Sequence, residues 1–212
     1  MKSQTSKKSA NRGVTVAQVS ENIVNGVNVT YLFKMIDDIK ENIDIAKFNF
    51  RATNKWIDGT ENHTTVKEYS GACKTFSRSK PHVFVKDEPP VLLGNDNGAN
   101  PVEYLLAGLA GCITTSLVCH AAARGIKINS VESTLQGNID LRGLLQMDKS
   151  VNPGYDGINI SFKIDSDAPQ KDLEELVKLA KKASPVANTI SRPTPINVSL
   201  VKKEMQNERK QV

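Results

Sequence analysis

The chain has 212 residues, of which 24% are charged and 39% hydrophobic, a balance typical of a soluble globular protein. Its net charge is +5, but residues 1–12 contribute +4 and residues 202–212 contribute +2, so the body between them carries −1. Nucleic-acid binding requires basic residues concentrated on a folded face, and this distribution argues against it.

The three cysteines form no CxxC pair and have no His at ligand spacing, so neither a disulfide framework nor a zinc site is predicted. Free thiols indicate a reducing compartment, and no apolar segment follows the basic start as a secretory signal would require. We therefore expect a cytoplasmic protein without a cofactor or a bound metal.

Composition along the chain predicts three segments. Residues 1–20 are expected to be a flexible basic segment, residues 21–203 a single domain, and residues 204–212 a polar tail. Within the domain, apolar residues at helical spacing from Val29 predict a helix that ends near Asn42.

Alternation of apolar and polar residues over 48–56 predicts a strand, and Asp58-Gly59 predicts the tight turn after it. Residues 64–69 are expected to form the returning strand, and residues 82–85 a further strand. The stretch 87–100 is rich in Pro, Gly and Asn and is predicted to be a loop.

A long helix is predicted to follow this loop. Asn100 can cap it, Pro101 suits the first helical position, and Glu103 completes a capping box. We expect the helix to end at Gly125. The uncharged stretch from Tyr104 to His120 is shorter than the roughly 20 residues of a membrane span, so a buried core helix is expected and membrane insertion is not.

The remaining chain predicts strands within 126–141 and 157–164, a helix opened by Pro169 that breaks before Pro185, and a last strand at 196–201. Strands grouped in this way favour an α+β fold with antiparallel sheets. The long helix is apolar on nearly every side, which one small sheet cannot cover, so a dimer is expected.

Cys112, in the middle of the long helix, has two interpretations. A buried cysteine is usually a small inert hydrophobe, whereas a reactive one requires a thiolate and access to solvent. Cys119 shares its helical face but lies about 10.5 Å further along the axis, too far for a disulfide in an intact helix. Glu103 is nine residues before Cys112 and falls on roughly the opposite face. His63 is interpreted as a strand or surface residue.

The run from Asn100 to Cys112 resembles the signature NP-x-E-x-L-L-x-A-x-A-x-C of the OsmC/Ohr family (osmotically inducible protein C and organic hydroperoxide resistance proteins). Gly108 replaces one small Ala of that pattern. Further similarity at residues 56–60, 120–126, 140–143 and 182–186 extends the resemblance over about residues 28–201.

The resemblance implies two interlocked chains, with antiparallel sheets wrapped around central helices and an active site at the dimer interface. It also implies that Cys112 attacks a peroxide oxygen and becomes a sulfenic acid. In peroxidase members of the family, a second cysteine in a Cys-Pro pair then forms a disulfide with it, and an Arg and a Glu orient the thiolate.

This chain departs from that pattern at the residues around the thiol. Ser184 stands in the place of the second cysteine and cannot form a disulfide. Glu103 lies one residue later than the family's Glu, which turns it by about 100°. His63 stands where an Arg is expected, and Arg51 is an outside candidate for that role.

Two functions are therefore open. The first is reduction of organic hydroperoxides by Cys112 alone, with an external thiol as reductant, in which Glu103, His63 and Ser184 are the other candidate site residues. The second is a homodimer that binds a small apolar or thiol-bearing ligand at its interface without turnover.

Overall fold

The computed structural model describes residues 21–201, so the predicted segments 1–20 and 204–212 lie outside the described residues. Within this range the chain forms five helices and eight strands. In chain order they are β1 (Ile23–Val24), β2 (Val27–Asn28), α1 (Val29–Glu41), β3 (Asn49–Phe50), β4 (Thr53–Asp58), β5 (Glu61–Gly71), β6 (Lys74–Lys86), α2 (Pro101–Ala123), β7 (Ser130–Gly137), α3 (Leu141–Leu144), β8 (Ile158–Asp165), α4 (Gln170–Ala183) and α5 (Pro185–Ser191).

All strand pairs are antiparallel, as an α+β fold with antiparallel sheets predicts. In the larger sheet β5 is central: β6 pairs along one edge, and β4 and β3 pair with successive parts of the other. β7 and β8 form a separate two-stranded ladder. The ladder packs on one side of α2, and the larger sheet lies near the start of that helix.

The predicted start of α2 is confirmed. Asn100 Oδ1 accepts the backbone N–H of Glu103 at 2.9 Å, while Glu103 Oε2 accepts the backbone N–H of Asn100 at 2.8 Å. Pro101 occupies the first helical turn, where its missing N–H leaves nothing unpaired. The helix ends at Ala123, and Gly125 follows with φ +70°, a conformation that glycine adopts without strain.

The core of the domain is built on one side of α2. Leu109, Ile113, Leu117 and Ala121 recur every four residues and are almost completely buried. They pack against buried residues of α4 and α5 and against half-buried apolar residues of β7 and β8. Burying a Leu or Ile side chain of this kind contributes about 1.5–3 kcal/mol, so this stripe is the main apolar contribution to the fold.

The other side of α2 is less well covered. Over its most apolar 18 residues the helix has a mean hydropathy of 1.7, and only 28% of that stretch is buried. Within residues 21–201 it is the one helix long and apolar enough to cross a membrane, a test that core helices of soluble proteins also pass. Its contacts with α4, α5 and β7 make it a core helix of this domain.

Two predictions for the end of the chain are wrong or incomplete. Residues 196–201 are not a strand: they have no regular secondary structure and are exposed, with Val198 at 90%. A strand needs a partner for its backbone groups, and in the described chain this segment pairs with no other strand. The helix break before Pro185 is confirmed, but Pro185 at once begins α5, with Ser184 as its N-cap.

Asp87 fastens the loop before α2 to the sheet. Its buried carboxylate accepts hydrogen bonds from the Thr60 hydroxyl at 2.6 Å and from the backbone N–H groups of Glu88, Asn95 and Asn97. The Thr60 bond, followed by the backbone bonds, lowers the pKa of Asp87 from 3.8 to about 2, against the opposing effect of burial. The carboxylate therefore joins the β4–β5 turn to the loop that leads into α2.

We expect Asp87→Asn to lower Tm by about 5 °C, because an amide nitrogen would face N–H donors that now meet an oxygen. Since the folded pKa of Asp87 lies below its unfolded value, the carboxylate stabilises the fold above pH 3.8 and this contribution disappears as the pH falls toward 2. Thermal melts from pH 7 to pH 2 measure both effects. Asp96→Asn, at an exposed residue of the same loop, is the control. Equal Tm losses in the two variants would contradict the assignment.

Candidate functional site

Cys112 is half-buried on α2, between Gly111 and the buried Ile113. Because it lies beside the buried stripe and not within it, its side chain points along the boundary between α2 and the corner where α4 passes into α5. All three cysteines of the chain are free thiols. Cys112 is the one that is hydrogen-bonded to a residue of this corner.

The Cys112 sulfur is hydrogen-bonded to Ser184. The Ser184 hydroxyl donates a hydrogen bond to Cys112 Sγ over 3.1 Å, and the same oxygen accepts the backbone N–H of Ala187 at 3.2 Å. Ser184 is completely buried. The N-cap of α5 thus doubles as a hydrogen-bond donor to the thiol.

A cavity of about 460 Å³ opens beside the thiol. Its wall consists of one face of α2 and the α4–α5 corner, with no charged side chain among the lining residues: Gly111, Cys112, Thr115, Ser116, Cys119, Ala183 and Pro185. The volume is within the range of sites for small ligands, and the small lining side chains leave room for an organic group.

Cys119 lines the same cavity, as its predicted position on the same helical face requires. Seven residues of continuous helix separate it from Cys112, which is about 10.5 Å along the axis. A disulfide needs Cα atoms within about 7 Å. The two thiols can therefore contact one ligand without closing on each other.

Glu103 does not approach Cys112 within the chain. Its carboxylate is engaged in the capping box at the start of α2, about 13.5 Å along the axis from Cys112. Burial, and then the charge of Glu103, raise the pKa of Tyr155, whose hydroxyl donates to the carbonyl of Val102 at 3.0 Å. Glu103 thus belongs to the polar surroundings of the helix start.

His63 also lies outside the cavity of Cys112. It occupies β5, where it pairs with Lys55 and Val85, and its Nε2 is 2.6 Å from Glu61 Oε1. The other oxygen of Glu61 accepts a hydrogen bond from Asn97. His63 therefore belongs to the same turn-and-loop region that Asp87 holds together.

No three His, Cys, Asp or Glu side chains come together as potential metal ligands in the described part of the chain. The candidate site is therefore defined by sulfur, hydroxyl and apolar groups.

The family model for OsmC-like proteins matches residues 94–199, half of the chain. The match includes α2 with Cys112 and the corner with Ser184. The chain belongs to the OsmC-like protein family.

A solved structure of an OsmC-like protein has a similar fold. An OsmC-like protein from Mycoplasma pneumoniae is 20% identical, with a TM-score of 0.51 over 68% of this chain and 87% of that one. An organic hydroperoxide resistance protein OsmC from Legionella pneumophila is also 20% identical, with a TM-score of 0.45 over 67% and 88% of the two chains. An organic hydroperoxide resistance protein from Elizabethkingia anophelis is 21% identical, with a TM-score of 0.44 over 66% of this chain and 86% of that one. No curated protein sequence matches the chain.

The resemblance to the family pointed to Cys112 and Ser184 as neighbours, but the role of Ser184 as the N-cap of α5 was not predicted. The signal that could have shown it is Ser184-Pro185, since Ser at an N-cap followed by Pro is a typical helix start. A helix that begins there directs the capping side chain toward α2. The hydroxyl groups of Thr115 and Ser116 were not singled out, because single Ser and Thr residues in a helix carry no distinctive pattern.

We expect Ser184→Cys to form an intramolecular disulfide with Cys112 on mild oxidation, because Ser184 Oγ is already 3.1 Å from Cys112 Sγ. Thiol titration should fall from four groups to two, and peptide mass spectrometry of the unreduced protein should identify the pair. Ser191→Cys, at the far end of α5, is the matched control and should keep four thiols. A Ser184→Cys variant that keeps all its thiols would show that the corner is placed differently.

Proposed function

We propose that this OsmC-like protein reduces organic hydroperoxides through Cys112, recycled by an external thiol, and so protects the cell against oxidative stress. One observation carries the proposal: Cys112 Sγ lies at the wall of an uncharged cavity and accepts a hydrogen bond from buried Ser184. A sulfur that is both accessible and hydrogen-bonded is suited to react as a thiolate. The lining favours a hydroperoxide with an organic group over hydrogen peroxide.

The proposed cycle balances with an external thiol alone. The Cys112 thiolate attacks the terminal oxygen of the hydroperoxide, the O–O bond breaks, and the alkoxide takes up a proton to leave as an alcohol. Cys112 is then a sulfenic acid, two electrons more oxidised. An external thiol condenses with it to release water and form a mixed disulfide, and a second external thiolate displaces the Cys112 thiolate from that disulfide.

The chain itself supplies no thiol for this step. Ser184 carries oxygen where a second sulfur would be needed, and Cys119 is two helical turns from Cys112. Any contribution of Glu103 or His63 to the thiolate has to come from a second copy of the chain, because neither side chain lines the cavity of its own Cys112.

A second candidate function is binding of a small apolar or thiol-bearing ligand without turnover. The uncharged lining of the cavity favours it, because none of the described residues that line the cavity is an acid or a base that could assist proton transfer. In that case Cys112 is a contact residue of the pocket and its replacement by Ser leaves the site intact.

The two functions differ in what Cys112→Ser does. With cumene hydroperoxide and dihydrolipoamide, we expect the reduced protein to consume peroxide at least about a hundredfold faster than this variant, because the nucleophile is lost. Cys119→Ser, which changes a thiol in the same cavity, is the matched control and should keep most of the rate. Mass spectrometry should find the sulfenic-acid adduct on Cys112 and not on Cys73.

Background rates in both the protein and Cys112→Ser would exclude the peroxidase function. If cumyl alcohol then raised the Tm of the protein and of Cys112→Ser equally, the pocket would be a binding site without chemistry.

We further propose that the protein is an intertwined homodimer in the cytoplasm, where its three free thiols stay reduced. Large apolar side chains are exposed on both the sheet and the helix of a single chain. Trp56 of β4 is 66% exposed, and Leu105, near the start of α2, is 39% exposed. Surfaces of this kind are typical of interfaces, and a second copy would cover them.

Residues 193–201 support the intertwining. Ile196, Val198 and Leu200 alternate with polar residues in the pattern of a strand, yet they are almost fully exposed in one chain. β6 and β4 each have a free edge in the described chain, and a segment from a second copy can pair with one of them.

We expect light scattering after size-exclusion chromatography to give twice the chain mass of 23.2 kDa. Removal of residues 193–212 should shift the protein toward monomer on dilution, because the exchanged strand would be lost. A truncated chain that stays dimeric would contradict the intertwining, and a full-length monomer would contradict the homodimer itself.

A further inference from the structure

We propose that Ser184 is a positioning residue for Cys112: its hydroxyl holds the sulfur in the reactive orientation and favours the thiolate. This inference deepens the proposed function and rests on it for its biological purpose, but it concerns the thiol before any peroxide reacts. In this proposal Ser184 does more than replace a second cysteine, because its hydroxyl acts on the Cys112 sulfur.

The hydroxyl hydrogen of Ser184 points toward the Cys112 sulfur. Ser184 Oγ accepts the backbone N–H of Ala187, as the N-cap of α5. The oxygen can still donate its own hydrogen, and Cys112 Sγ lies 3.1 Å away to receive it. The cap therefore fixes the oxygen in place and leaves its hydrogen directed at the sulfur.

Water is excluded from the Ser184 hydroxyl. Ser184 is completely buried, whereas Cys112 is half-buried and lines the cavity. The hydroxyl cannot exchange its bond to sulfur for a bond to bulk solvent. Reagents in the cavity can still reach the sulfur from its other side.

The Ser184 hydroxyl interacts more strongly with a negatively charged sulfur than with a neutral one. A hydrogen bond to an anionic acceptor is roughly twice as strong as one between neutral groups, so the donor stabilises the thiolate more than the thiol. No charged side chain is among the residues that line the cavity, and Ser184 is the side chain that donates a hydrogen bond to the sulfur among the described residues. The replacement of a second thiol by Ser184 thus removes the disulfide and retains a hydrogen-bond donor.

The experiment must separate this bond from the capping of α5, since both use Ser184 Oγ. Glycine is a good N-cap and alanine a poor one, so Ser184→Gly and Ser184→Ala both remove the donor but differ in helix capping. Ser184→Thr keeps the hydroxyl. Asn28→Ala removes the N-cap of α1, which does not line the cavity, and is the control for loss of a cap elsewhere.

The readout is the rate at which iodoacetamide alkylates Cys112, followed by peptide mass spectrometry from pH 5 to pH 10 on proteins shown to be folded by circular dichroism. No peroxide is present, so failure of the peroxidase assay leaves this test unaffected. At pH 7 we expect Ser184→Gly and Ser184→Ala to react about five- to tenfold more slowly than the unsubstituted protein. The pH at half-maximal rate should move upward in both, and Ser184→Thr should restore it.

Rates and half-maximal pH values that are unchanged in Ser184→Gly would overturn the proposal, even if Ser184→Ala were affected, because that pattern identifies a purely capping role. Should Ser184→Ala fail to fold, Ser184→Gly and Ser184→Thr alone decide between the two roles. A change in Asn28→Ala equal to that in Ser184→Gly would also overturn it.

Discussion

The α2 helix is apolar on nearly all of its surface, whereas its own chain can bury only one side of it. Leu109, Ile113, Leu117 and Ala121 face the α4–α5 pair and the β7–β8 ladder, and this contact brings the α4–α5 corner against the middle of the helix. Cys112 lies at the border of the buried side, where packing ends and the cavity begins. The position of the thiol follows from how far the core of one chain can extend.

The corner beside this border combines a structural and a chemical task in one side chain. A chain that passes from one helix into another needs a cap for the N–H groups of the second, and Ser184 supplies it to α5. The same side chain is adjacent to Cys112 Sγ because α5 begins against α2. A sulfur at this position would lie close enough to Cys112 for a disulfide, whereas the serine oxygen forms a hydrogen bond there.

Local signals in the sequence predicted the features that depend on neighbouring residues. The cap at Asn100 and the stop of α2 before Gly125 were recognisable, because capping groups lie within three residues of the groups they satisfy. β5 and β6 are much longer than predicted, since their outer halves are polar and owe their strand conformation to pairing with each other. Residues 196–201 carry a strand pattern but no strand, because pattern alone provides no neighbour.

The site was predictable to the same extent. Cys112 and Ser184 belong to segments that resemble the family, and their contact follows once the two helices pack. The separation of His63 from the thiol was not predictable, because the location of His63 depends on how the larger sheet meets the start of α2. Glu103 is placed by helical geometry alone, which puts it far along the axis from Cys112.

The anchorage of the larger sheet to the start of α2 has a consequence for assembly. Besides the bonds of Asp87, the Tyr104 hydroxyl donates to the carbonyl of Val85, and its ring meets Phe84 edge-on. These contacts therefore hold the β5–β6 hairpin in a fixed position relative to the start of α2. In the proposed homodimer, the hairpin of each chain would contact the other chain with little loss of conformational entropy. Association would then proceed by docking of formed surfaces rather than by folding on contact.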